Sequence, residues 1–190
     1  MLRLSVHWEK PERGQFVLIV RGFKSHPSEW VEKGIGLRTA VARRWTLKAQ
    51  DPQIKASQFM SGVLAILAAP SGERQELLFF GSGGTVAEGA TSNIFIVRDK
   101  RLLTPSVSSG ILRGVTRNIV MELARGKGIE TLETFLTRHD VYNAQECFLT
   151  NTSSEVLPVI RVDGRMIGSG RPGPVTKMLA EEFKRAIGKD

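Results

Sequence analysis

The stretch Thr85–Arg117, TVAEGATSNIFIVRDKRLLTPSVSSGILRGVTR, decides how the rest of the chain is read. It holds two features that ordinary scaffolding does not need. The first is a carboxylate, Glu88, followed by the small polar run Gly89-Ala-Thr-Ser-Asn93, which leads into an apolar strand at Ile94–Val97. The second is Leu112-Arg-Gly-Val-Thr116, where a glycine and a threonine open a helix expected from Val115 to about Gly126. A helix start presents unpaired N–H groups and partial positive charge, which makes it a natural anion site. One short span thus sets a candidate buried carboxylate beside a candidate phosphate cradle. That pairing suits a ligand with a basic ring at one end and a phosphate at the other.

Outward from this stretch, the 190 residues can bury one good core and at most part of a second. Hydrophobic residues at 41% and charged residues at 24% are the proportions of an ordinary globular protein. No apolar run approaches bilayer length, and Met1–Lys10 does not have the shape of a signal peptide. A single cysteine, Cys147, excludes an internal disulfide and sits in the apolar run Cys-Phe-Leu. It reads as a small buried hydrophobe in a reducing cytoplasm, not as a nucleophile. The net charge of +8 raises the question of nucleic acid, but the basic residues are spread along the chain. Only short clusters such as Arg43-Arg44 and Lys184-Arg185 occur, with no aromatic-interleaved basic block. Anionic small substrates account for the charge equally well.

In chain order, Gln15–Arg21 is a β run closed by Gly22, and residues 23–34 read as a loop punctuated by His26-Pro27 and Lys33-Gly34. Gly36–Arg44 alternates like a strand. Asp51–Lys55 leads into a helix from Ala56 to Ala69, whose Phe59, Met60, Val63, Leu64 and Leu67 share one face and which Pro70 stops. Strands are expected at Glu76–Phe80, Thr85–Glu88, Ser92–Arg98 and Arg101–Thr104, then an extended Ile129–Phe135. A short helix follows at Thr137–Ala144, with Thr137 and Asp140 at its start. Glu146–Thr150 and Glu155–Val162 read as strands, the second ending in an Asp163-Gly164 hairpin turn. Pro174 suits the first turn of a closing helix, Val175–Ile187, with Val175, Met178, Leu179 and Phe183 as its core stripe. The interleaving gives an α+β (mixed α/β) fold with a mixed sheet.

The runs AEGATSNIFIV, TP, ILRGVTR, FLTNTSSEVLPV and VDGRMIGSGRPGPVT, in that order, resemble the class IV aminotransferases, the fold-type IV pyridoxal-phosphate enzymes. That family includes D-amino-acid aminotransferase, branched-chain aminotransferase and aminodeoxychorismate lyase. The resemblance implies a cofactor domain with a mixed or barrel-like sheet over residues 34–190, a remnant of a small N-terminal domain over residues 1–33, and pyridoxal 5′-phosphate as cofactor. By position, Lys55 matches the Schiff-base lysine, whose amine holds the aldehyde and then shuttles the Cα proton. An isolated lysine at a helix start would be read as solvated; the motifs downstream change that reading. Glu88 matches the partner of the pyridine nitrogen, keeping it protonated so that the ring accepts electrons. Leu112 matches the aliphatic residue packed on the ring, although a leucine at a helix start is more often plain core. Val115 and Thr116 match the phosphate-binding helix start, with Gly114 allowing close backbone approach. Asn151 and Thr152 match a second phosphate contact, and Ser92 and Asn93 a supporting layer. No metal is implied.

The resemblance implies an enzyme that moves an amino group between an amino acid and a 2-oxo acid. The alternatives are the lyase that yields 4-aminobenzoate, or a cofactor-binding homologue without turnover. Ala90–Asn93 and Thr152–Glu155 lean toward the D-amino-acid and lyase branches. The family's small N-terminal domain supplies an arginine to the phosphate, and this chain begins near that domain's last strands. The resemblance also implies a homodimer, while the lone cysteine, the spread of basic residues and the lack of a long apolar run point to the cytoplasm and to neither nucleic acid nor membrane.

Overall fold

Two apolar runs near the N-terminus pair as a hairpin in the computed structural model. It describes residues 2–10, 13–22, 26–40, 53–55, 76–81 and 83–188. β1 (Leu2–Lys10) and β2 (Arg13–Val20) form a two-stranded antiparallel sheet of their own, with Leu4 opposite Leu18 and Val6 opposite Phe16. Directly opposed residues share a face. Leu4, Val6, Phe16, Leu18 and Val20 therefore line one side of the ribbon, and all five are exposed.

The remaining described strands make one nine-stranded mixed sheet. They are β3 (Ile35–Thr39), β4 (Glu76–Phe80), β5 (Val86–Gly89), β6 (Asn93–Arg98), β7 (Arg101–Pro105), β8 (Thr131–Thr134), β9 (Glu146–Asn151), β10 (Glu155–Val162) and β11 (Arg165–Met166). Their order is β5-β4-β3-β10-β9-β6-β7-β8, with β11 also on β10. β3 runs parallel to β4 and β10, and β7 to β8; the other pairs are antiparallel. The two ends of this order meet, because Val86 N–H donates to the Leu136 carbonyl just past β8 at 2.8 Å. The sheet thus curls on itself, which is the barrel-like core the sequence resemblance implies.

Both faces of the central strands are covered. In β6, Ile94 and Ile96 join Leu37, Leu78, Val86, Leu103, Leu149 and Leu157 in one buried cluster. Phe95 and Val97 point the other way, into a second cluster with Phe148, Val120, Met121, Leu179 and Phe183. Phe95 and Phe148 stack with centroids 5.0 Å apart. A strand buried on both faces reads as a continuous apolar run, as Ile94–Val97 does. The helices that cover the second face are α2 (Val115–Gly126) and α4 (Pro174–Ala186), which pack on each other and on β9. Two shorter helices are α1 (Ser28–Lys33), lying against β10, and α3 (Arg138–Tyr142).

Local chemistry explains the ends. Thr137 and Asp140 form a reciprocal capping box at the start of α3. Asp140 is pushed up by burial, but the Thr137 hydroxyl and N–H, with Arg98, outweigh this and hold its carboxyl below the usual value. Pro174 occupies the first turn of α4, where no N–H is missed. The next two amides go to a buried carboxylate from β9: Glu146 accepts from Val175 N–H at 3.1 Å and Thr176 N–H at 2.7 Å. Asp163 and Gly164 adopt φ of 50° and 80° between β10 and β11, the mirror-image turn that a two-residue hairpin needs. Cys147 is buried, and desolvation pushes its thiol far up, so it is inert as read.

The structure adds three pieces to the sequence reading. Residues 28–33 are helical where a loop is expected, because six residues are too few to show a helical period while Trp30 packs on the core. A 3₁₀ turn at Val107–Ser109 and the two-residue β11 were equally too short to read. The expected helix Ala56–Ala69 and residues 41–44 of the expected strand Gly36–Arg44 lie outside the described residues.

Candidate functional site

β5 ends at Gly89 and β6 begins at Asn93, so three residues reverse the chain. Gly89 N–H closes the turn on the Ser92 carbonyl at 2.7 Å, and a Cβ on Gly89 would strike the Ser92 hydroxyl. Glu76, the first residue of β4, sits close enough to the turn for the Ala90 and Thr91 N–H groups to act on its carboxyl. Burial raises its carboxyl above the usual value, and those two groups oppose the rise.

The turn presents Glu88, only 4% exposed. Its Oε2 accepts from Asn93 Nδ2 at 2.9 Å and from Leu112 N–H at 3.1 Å. The same Asn93 amide donates to the Leu112 carbonyl at 2.8 Å. Carboxylate, amide and the Leu112 backbone close a ring of bonds that offsets the cost of burying the carboxylate. Two residues on, Gly114 is required by space and not by backbone angle: its φ is −66°, but a Cβ there would land against Asn93 Oδ1. α2 then begins, and no side chain among the described residues caps it. Thr116 is buried and Val115 is exposed.

Asn151 reaches the same neighbourhood through the sheet, since Thr150 lies directly across from Asn93. Asn151 Oδ1 accepts from Ser153 and Ser154 N–H at 2.8 and 2.5 Å, folding an Asx turn with Thr152 exposed on it. Ser154 Oγ lies 2.7 Å from His26 Nε2. Lys55 is exposed, and its segment is tied in by Gln53 Nε2, which donates to the Ile111 carbonyl at 2.7 Å. Glu88, Asn93, Leu112 and Gly114 are thus in direct contact, Val115 and Thr116 follow on the chain, and Asn151 and Lys55 adjoin through neighbours.

Sequence reading missed Gln53, Glu76 and Arg117. Gln53 stands two residues before the lysine, and Arg117 closes the motif ILRGVTR; both were open to notice. Ser92 supports the turn through its carbonyl, while its buried hydroxyl has no partner among the described residues.

With this geometry, a model of the family described as amino-transferase class IV matches residues 2–162. The chain belongs to that family. Its relatives include the branched-chain-amino-acid aminotransferase of Pseudomonas aeruginosa, 38% identical over 156 residues, covering 82% of this chain and 50% of the relative. Among solved structures, the branched-chain amino acid aminotransferase of Escherichia coli is 33% identical with a TM-score of 0.78, covering 92% and 58% of the two chains. That of Thermobaculum terrenum in its pyridoxal-phosphate form is 30% identical with a TM-score of 0.84, covering 93% and 58%. The chain spans about half the length of the curated relatives it matches. These relatives support neither the leaning toward the D-amino-acid branch nor the lyase alternative. No helix among the described residues is long and apolar enough to cross a membrane.

Proposed function

We propose that this class IV chain binds pyridoxal 5′-phosphate and serves a transaminase acting on amino acids with branched aliphatic side chains and their 2-oxo acids. The observation that carries the reading is the ring of Glu88, Asn93 and Leu112 beside a helix start opened by Gly114 that no side chain among the described residues caps. The residues fit the group. A buried carboxylate suits a protonated ring nitrogen, a glycine leaves room beside it, and a free helix start suits a dianionic phosphate. The cofactor, when bound, supplies an aldehyde that condenses with amines and a cationic ring that draws electrons from the substrate's Cα–H bond.

The chain's own residues divide the remaining work. Glu88 would accept the ring N–H and keep the proton there, while Asn93 holds the carboxylate in place. Val115 and Thr116 would offer N–H groups and a hydroxyl to the phosphate, and Asn151 and Thr152 would supply a second contact. Leu112 would pack against the ring. Lys55 Nζ would be the amine that holds the cofactor's aldehyde, and once free it would carry the proton from the substrate's Cα. The substrate class follows the relatives' names. A homodimer in the cytoplasm is part of the same proposal, with light scattering at micromolar concentration as its check.

Purified protein given pyridoxal phosphate should turn yellow, lose the colour on borohydride reduction and carry the label on the Lys55 peptide. Lys55→Ala should abolish the labelling. L-Leucine, L-isoleucine and L-valine should discharge the colour faster than D-alanine. A protein that stays colourless with excess cofactor overturns the proposal.

A further inference from the structure

We infer that Arg117 is a positioning residue for the phosphate end of the site, which rests on the reading above that the start of α2 receives the phosphate. Arg117 is the third residue of α2, and its side chain is 0% exposed. Nη2 donates to the Pro105 carbonyl at the end of β7 at 3.0 Å and to Glu133 Oε2 in β8 at 2.8 Å. Nη1 stands 3.4 Å from Asn118 Oδ1, and Nε is buried without a partner among the described residues. β7 and β8 are a parallel pair with Thr104 opposite Glu133, so the guanidinium bolts the first turn of the helix onto that ladder.

Stability alone is a poor reason for this arrangement. A buried ion pair is worth little or less than nothing against an apolar replacement, and here one buried N–H is also left unmet among the described residues. What a planar fork with two fixed acceptors supplies is direction. The helix has no side-chain cap among the described residues, so the places of the Val115 and Thr116 N–H groups depend on what grips the backbone around them. Asn93 grips it ahead, through the Leu112 carbonyl, and Arg117 grips it beneath. Hydrogen bonds weaken steeply with misalignment, so phosphate affinity depends on that grip. The ring end, held by Glu88 and Asn93, does not.

The test compares pyridoxal 5′-phosphate with pyridoxal, which lacks the phosphate, by absorbance titration of the full chain. Arg117→Met with Glu133→Leu removes both charges together and leaves neither orphaned. Glu133→Gln is a milder second variant at a partly exposed position, which keeps the question answerable if the double variant fails to fold. Pyridoxal phosphate should bind roughly tenfold more weakly to the double variant, the worth of one misplaced charge-assisted bond. Pyridoxal uptake should change by less than about twofold, within the scatter of a surface change. Glu133→Gln should show the same selectivity at smaller size. Equal weakening of both probes, or no change in either, overturns the positioning role while leaving the cofactor reading intact. A parent chain that takes up neither probe overturns both.

Discussion

Gln15–Val20, QFVLIV, and Asn93–Val97, NIFIV, are each a polar residue followed by a run of apolar ones, and both fold as strands. In β2, Phe16, Leu18 and Val20 remain 74%, 62% and 71% exposed. In β6, Ile94, Phe95 and Ile96 are 0% exposed. Among the described strands β2 has one neighbour, β1, in a sheet of two. β6 lies between β7 and β9 with a packed cluster on each face. Strand propensity therefore specifies an extended backbone and says little about burial, which depends on what covers the faces. The chemistry follows the covered strand. Asn93 can hold Glu88 and Leu112 at hydrogen-bond distance because β6 cannot shift inside its core.

Truncation of one aromatic in each strand tests this contrast most strongly. Phe95→Ala should destabilise by about 3–5 kcal/mol, since it empties a space that Phe148 and the helices cannot refill. Phe16→Ala should stay within about 0.5 kcal/mol. Denaturant melts of the two variants give the comparison directly, and similar losses would break it.

A smaller effect sharpens the link between packing and site. Gly114→Ala should cost about 1–3 kcal/mol as an overpacked position, because the new methyl displaces Asn93 from one of its partners. Pyridoxal phosphate affinity should fall with it. Adding Asn93→Ala should relieve the clash but recover neither stability nor affinity, because buried Glu88 loses a donor, and a double variant that binds like the parent would separate Asn93 from the site.

The smallest effect concerns Glu76. Its folded carboxyl is raised above the ordinary 4.5 by burial, so the fold favours its protonated form. The associated stability is present below 4.5 and declines as pH climbs through the raised value. Glu76→Gln should flatten melting temperature against pH across that window. An unchanged slope would mean that the turn at Ala90–Ser92 does not feel the charge.

Much of this was legible in the chain itself. The helix Val115–Gly126 and the strand Glu155–Val162 have the same bounds in sequence and structure, since periodicity, Gly114 and the Asp163-Gly164 turn are local signals. Thr137 and Asp140 declared their helix for the same reason. The AEGATSN and ILRGVT runs, read together, named the candidate site before their contact was known. Local sequence could not show that Arg117 and Glu146 are buried, nor which partners they meet. Pro105 and Glu133 reach Arg117 from the β7–β8 ladder, and Val175 and Thr176 reach Glu146 from a helix 29 and 30 residues further on. A charged residue looks the same in sequence whether solvated or buried. Its partner is chosen by how strands are ordered in the sheet, and only the closed fold brings those distant groups within bonding distance.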